Sequence, residues 1–260
     1  MPKFAANLTM MFNELDFMDR FKGAADAGFK GVEFLFPYAY PADALKDRLA
    51  QHALVQALFN MPPGDWDAGD RGIGALPGRE SEFREGVEKA IEYARALDCP
   101  LLHAMAGLMP DGADGQKYRE TYVENLRLAA EACAGNGIRL VIEAINTRDI
   151  PGYFLNRPAQ AFAVIEEVAS DNLFVLYDIY HAQITEGYLA ETIRAHIDRI
   201  AHFQIAGVPG RHEPDVGEIH YPYLFEVVES LPFTGWMGCE YRPKAGTTEG
   251  LGWARGYGIG

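Results

Sequence analysis

Four short apolar runs in this sequence are each broken, near their ends, by one polar residue that can bind a cation or carry a proton. They read Leu-Val-Ile-Glu143-Ala, Phe-Val-Leu-Tyr-Asp178-Ile, Ala-His-Phe-Gln204-Ile and Trp-Met-Gly-Cys-Glu240-Tyr. A carboxylate in such surroundings is costly unless it is paired, protonated or bound to a metal. Any one of the four could simply cap a loop or pair with Arg or Lys. Four at matching positions point to a shared site. Three carboxylates and one amide oxygen make a hard, oxygen-only ligand set for one divalent ion, suited to Mg2+ or Mn2+ better than zinc.

Other residues lie close enough in sequence to serve the same site. His181 follows Asp178 by three residues and is placed to hydrogen-bond a substrate hydroxyl or carboxylate, or to rest as a satisfied loop histidine. Arg211 follows Gln204 by seven, in Gly-Val-Pro-Gly-Arg211-His212-Glu213, where its planar fork could clamp an anion or remain a solvated charge. Arg71 is a second anion-holding candidate. Glu33 and His103 sit within other apolar runs, as pocket lining or as hydrogen-bonded structural groups.

The elements that must position these side chains repeat along the chain. Buried strands are predicted at Lys3–Met11, Gly31–Phe36, Leu54–Phe59, Leu101–Ala106, Ile138–Ile145, Leu173–Ile179, Ile200–Ala206 and Gly235–Tyr241. Helical periodicity fills Leu15–Ala27, Ser81–Leu97, Lys117–Ala134, Pro158–Val168, Tyr188–Ile197 and Tyr221–Ser230. Gly28 and Gly137 stand where helix C-caps belong. Eight apolar runs alternating with helices predict an α/β fold of parallel strands joined by right-handed crossovers. No Gly-x-Gly-x-x-Gly turn follows the first strand, and the eightfold count favours a closed (β/α)8 barrel over an open sheet. No internal linker divides it, so residues 1–260 are read as one catalytic domain. The Gly-, Pro- and Asp-rich segment Met61–Arg79 is an unusually long loop after a strand, of the kind that carries function.

The 37 acidic against 23 basic residues give a net charge of −14, which repels nucleic acid and anionic membrane. Cys99, Cys133 and Cys239 are odd in number and lack metal-ligand spacing, which fits a reducing compartment. With no run approaching ~18 apolar residues and no apolar stretch before a cleavage site, the expectation is a cytoplasmic protein. The expected partner is a small anionic substrate, with neither nucleic acid nor membrane, and with homo-oligomerisation left open.

The chain resembles the hydroxypyruvate isomerase family of the xylose-isomerase-like TIM barrel superfamily, along essentially its whole length. The resemblance is carried by Phe59-Asn60-Met61-Pro62-Pro63-Gly64-Asp65-Trp66 with Arg71, by Ile142-Glu143-Ala144-Ile145-Asn146 and by Tyr177-Asp178-Ile179-Tyr180-His181. It continues through Gln204-Ile205-Ala206 with Pro209-Gly210-Arg211, and through Gly238-Cys239-Glu240-Tyr241 to Gly250-Leu251-Gly252-Trp253. By resemblance, Glu143 and Glu240 are the catalytic acid/base pair, and together with Asp178 and Gln204 they hold the metal. Hydroxypyruvate to tartronate semialdehyde is then the expected reaction, with 2-oxo-tetronate isomerisation as the alternative. Related ketose epimerases carry His where this chain has Gln204, which lowers a 3-epimerase reading. Endonuclease relatives need a His-rich trinuclear zinc site, and this chain has seven His in all. A non-catalytic sugar-acid-binding barrel would have lost part of the constellation, which is complete here.

Overall fold

The computed structural model describes residues 1–260 and closes eight parallel strands into a barrel in the order β1 to β8. The strands are β1 Lys3–Asn7, β2 Gly31–Phe34, β3 Val55–Asn60, β4 Leu101–His103, β5 Arg139–Glu143, β6 Leu173–Asp178, β7 Ile200–Ile205 and β8 Trp236–Cys239. The outer ring comprises α1 Phe17–Asp26, α2 Ala42–Gln51, α3 Glu80–Ala96, α4 Gly115–Ala134, α5 Pro158–Val168, α6 Ile179–Thr185, α7 Leu189–His196 and α8 Tyr221–Glu229. No helix is long and apolar enough to cross a membrane.

Strands need a continuous buried run, and helices need one apolar stripe to lay against it. In α3 that stripe is Phe83, Val87, Ala90 and Ala94, all buried. Asp114 starts α4 by accepting from the backbone N–H groups of Gln116 (3.0 Å) and Lys117 (3.3 Å), while Pro158 opens α5. The main core of 72 buried residues lies between strands and helices. A separate cluster of Leu58, Leu101, Val141, Leu176 and Ala201 fills the barrel. Period-two alternation places Val141 with Glu143, and Leu176 with Asp178, on that same inward face.

The expected helices are present within two residues at each end, and two more were not anticipated. One is α2, whose buried face is only Leu45 and Leu49. The other is α6, which starts where β6 stops because Asp178 accepts from the Tyr180 N–H at 2.8 Å and so caps it. Several expected strands end early: β1 stops at Asn7 and β4 at His103, since the chain beyond turns into loops over the barrel mouth. One such loop, Met61–Arg79, is pinned by an antiparallel bridge between Gly72 and Ala106. Gly72 has φ +100°, and a Cβ there would meet Met105 atoms at 2.4–2.6 Å, so glycine is required for this close approach.

The end of β7 is held by Tyr221, whose buried hydroxyl donates to the Ala206 carbonyl (2.9 Å) and accepts from its N–H (3.0 Å). Tyr221→Phe strands both backbone groups in the core. Denaturant unfolding should show a loss of about 1–3 kcal/mol.

Candidate functional site

All eight strands deliver a polar residue to the same end of the barrel. Asn7, Glu33, Asn60, His103, Glu143, Asp178 and Gln204 lie at or within one residue of their strand ends, and Glu240 follows β8 directly. Each is buried. Parallel strands in a closed barrel share one C-terminal face, which is why residues from 7 to 240 converge.

Above them opens a cavity of about 910 Å³, bordered by Glu143, Gln204, Glu240, His181, Arg211 and Arg71 among others. These are six of the seven residues singled out from sequence. The seventh, Asp178, does not border the cavity itself, but it contacts two groups that do. Arg211 Nη2 lies 3.4 Å and His181 Nε2 3.5 Å from Asp178 Oδ2. The donor atoms of Glu143, Asp178 and His181 fall within 4.8 Å of one another, a group that could hold a metal ion.

Arg211 reaches inward rather than outward. Its Nη2 sits 2.5 Å from Glu240 Oε2, its Nη1 3.5 Å from Asp149 Oδ2, and its guanidinium lies over the Tyr180 ring at 4.9 Å. Backbone φ at Arg211 is +54°, an unusual conformation for a non-glycine residue, in the turn that aims it down. Arg71 takes a different post. It stacks on Trp66 at 4.0 Å and donates to the carbonyls of Trp66 and Asp70, keeping its fork at the cavity wall.

His181 is fixed by Asn146. The amide oxygen of Asn146 accepts from the Arg148 (3.0 Å) and Asp149 (2.9 Å) N–H groups, so its nitrogen faces His181 Nδ1 at 2.6 Å and donates to it. The neutral ring then carries its proton on Nε2, 3.5 Å from Asp178 and 3.7 Å from Glu143. Burial, with Arg211 nearby, holds the His181 pKa well below the usual imidazole range. With Nε2 protonated the ring donates rather than ligates, so of the group Glu143, Asp178 and His181 only the two carboxylates offer a cation free lone pairs, and His181 is suited to substrate contact.

The electrostatics are unbalanced. Glu143, Asp178 and Glu240 crowd one guanidinium, and burial pushes the Glu143 carboxyl well above its ordinary value, reinforced by Glu240 and Asp178. Burial raises Glu240 to about 8 and Asp178 to about 6, against the pull of Arg211 on both. Such a cluster favours protons or a further cation. Two oxygens, Glu143 Oε1 and Gln204 Oε1, are buried without any hydrogen-bond partner. Unpartnered hard oxygens beside Asp178 and Glu240 fit a divalent ion of the Mg2+ or Mn2+ kind.

Asn7, Asn60, Asn146, Asp149, Tyr180, Trp66 and Arg242 also shape the site and were not singled out from sequence. Asn7 and Asn60 carry the same signal as Glu143, Asp178, Gln204 and Glu240, a polar residue closing an apolar run. Tyr180 lies in the first turn of α6, and the others lie in loops, where position cannot be read from periodicity. Of the weaker candidates, His103 borders the cavity and bonds Asn60 Oδ1 at 3.1 Å, whereas Glu33 lies behind Gln204.

The Xylose isomerase-like TIM barrel family profile matches residues 21–257. A 2-oxo-tetronate isomerase from Cupriavidus necator is 56% identical over 99% of both chains, and a hydroxypyruvate isomerase from Escherichia coli is 49% identical over 99% of this chain and all of its own. A crystal structure from Brucella melitensis, described as an AP endonuclease of family 2, superposes with a TM-score of 0.97 at 52% identity over 99% of each chain. A D-psicose 3-epimerase from Clostridium cellulolyticum H10 shares the fold alone, with a TM-score of 0.79 at 18% identity over 95% of this chain and 88% of its own. With the match spanning the chain, this protein belongs to the xylose isomerase-like TIM barrel family, in its hydroxypyruvate isomerase branch, and is an isomerase of small acids.

Proposed function

We propose that the enzyme moves a carbonyl between C2 and C3 of a small 3-hydroxy-2-oxo acid, using one Mg2+ or Mn2+, with 2-oxo-tetronate preferred over hydroxypyruvate. The observation that carries the reaction type is the pair of buried glutamates, Glu143 and Glu240, sharing one cavity with Gln204, with Asp178 directly behind its lining residues His181 and Arg211. Those four residues would hold the ion, which supplies Lewis acidity toward the substrate carbonyl.

The proton work falls to the glutamates. One carboxylate takes the proton from the hydroxyl-bearing C3, giving an enediolate, and its partner returns a proton to C2. The C3 hydroxyl gives up its proton as the C2 oxygen gains one, so the reaction is redox-neutral overall. His181 donates from Nε2 to a substrate oxygen, and Arg71 at the cavity wall, with Arg211 deeper in, offers charge to the substrate carboxylate. The preference for four carbons is drawn from the relatives at 56%, 46% and 47% identity, all named 2-oxo-tetronate isomerase. It departs from the three-carbon substrate expected from sequence. A nuclease reading is disfavoured by the charge of −14 and by the oxygen-rich site.

Purified enzyme loaded with Mg2+ or Mn2+ should be assayed on 2-oxo-tetronate, hydroxypyruvate and a free ketose side by side. The expected kcat/KM falls by about tenfold or more from the four-carbon to the three-carbon acid, and by about 10³-fold or more to the ketose, which leaves the arginines unpaired. Equal turnover of the ketose would overturn the oxo-acid reading. A faster rate on hydroxypyruvate would restore the three-carbon substrate.

A further inference from the structure

Behind the cavity lies a carboxylate with no part in the chemistry just described. Glu33 is 1% exposed and does not border the cavity. Its oxygens accept from Gln204 Nε2 at 2.8 Å, Asn7 Nδ2 at 2.9 Å and His202 Nε2 at 2.7 Å. The chain keeps space for it. Gly238 is the register partner of Gln204 on β8, and a Cβ there would stand 2.3 Å from both Glu33 oxygens and displace the carboxylate.

An amide is an ambiguous ligand. Turned one way it offers an oxygen to a cation, and turned the other way it offers N–H groups that repel one. A carboxylate only accepts hydrogen bonds, so it holds the amide nitrogen toward itself and leaves the oxygen facing away. Gln204 Oε1 is accordingly buried and has no partner. Asn7 extends the effect. Its Oδ1 is fixed by the Thr9 N–H at 3.1 Å, and its Nδ2 reaches Glu240 Oε1 at 3.4 Å as well as Glu33.

We propose that Glu33 is a positioning residue that sets the amide of Gln204 oxygen-outward and, through Asn7, steadies Glu240, so that one buried carboxylate orients two of the four oxygen donors. The inference rests on the metal-dependent reading above. It assigns Gln204 its ligand atom through a residue that touches neither metal nor substrate. Groups that orient metal ligands in this way typically change affinity about 10- to 100-fold when replaced.

The test is Mn2+ binding by titration calorimetry, with circular dichroism and Tm recorded for each protein. Glu33→Gln keeps the shape but introduces N–H donors, which favour the Gln204 oxygen turning inward. Its Kd for Mn2+ should rise by about 10- to 100-fold. Adding Gln204→Glu to Glu33→Gln reverses the hydrogen bond, the new amide donating to the new carboxylate, whose second oxygen faces out. The double variant should recover about tenfold or more of the lost affinity. If the single variant does not fold, the folded double decides: Mn2+ binding supports the proposal and its absence overturns it. Unchanged affinity in a folded Glu33→Gln protein overturns the role of Glu33 alone. A wild-type enzyme that binds no Mn2+ or Mg2+ removes the metal-dependent reading, and this inference with it.

Discussion

Glu143→Gln is expected to reduce kcat by about 10²–10⁴-fold, the range supplied by a positioned acid or base, with further loss from the missing ligand charge. Glu240→Gln should behave alike. The amide matches the carboxylate in size, so the cavity and the barrel stay intact while proton transfer stops. Stability supplies the control. Because burial raises the Glu143 pKa, its folded form is favoured when protonated. The Glu143 contribution to the stability of metal-free wild type is therefore fully present below the unfolded carboxyl pKa of about 4.3 and is lost as pH rises through the folded value. The Gln variant carries no such proton, so its Tm should exceed that of metal-free wild type by a margin that grows with pH. A near-wild-type rate in either variant, with metal present, would end the two-glutamate mechanism.

Removing metal is expected to cut turnover by about 100-fold or more, since Lewis-acid stabilisation is worth several kcal/mol. Dialysis against a chelator followed by Mg2+ or Mn2+ addition measures both the loss and its recovery. The pH dependence of metal affinity follows from the burial of the ligands. Burial raises Glu240 to about 8 and Asp178 to about 6, so cation binding displaces protons in that window. Affinity should thus rise with pH between about 6 and 8, by about tenfold per unit for each proton displaced. Calorimetry in two buffers of different ionisation enthalpy counts those protons. A pH-independent Kd across the window would contradict this account of the site.

The barrel and the polar residues gathered at its mouth are legible in sequence because both leave one-dimensional traces. A fully buried strand is an apolar run, and a polar group breaking it stands out, as at Glu143, Asp178, Gln204 and Glu240. The same trace at Asn7 and Asn60 is ambiguous, because an amide closing a strand also reads as a turn residue. Helix α2 is faint in sequence because two leucines make a thin stripe, and α6 because its first residues complete the apolar run of β6. What sequence could not show is side-chain partnership. That Arg211 turns down onto Glu240 depends on one left-handed backbone angle, and that Glu33 stands behind Gln204 depends on the register of β7 against β8 and on the missing side chain of Gly238.

The pairing of β1 with β8 joins Lys3–Ala6 to Trp236–Cys239, and it brings Asn7 within 3.4 Å of Glu240 across 233 positions of chain. This seam sets an order of assembly. During synthesis β1 emerges before the other strands and waits for its second neighbour until β8 has been made. An unpaired strand edge persists throughout, and such edges invite intermolecular pairing. Closing so long a loop is also entropically slow. The constellation at the barrel mouth therefore has no half-built form: it comes together only when β1 and β8 meet, late in folding.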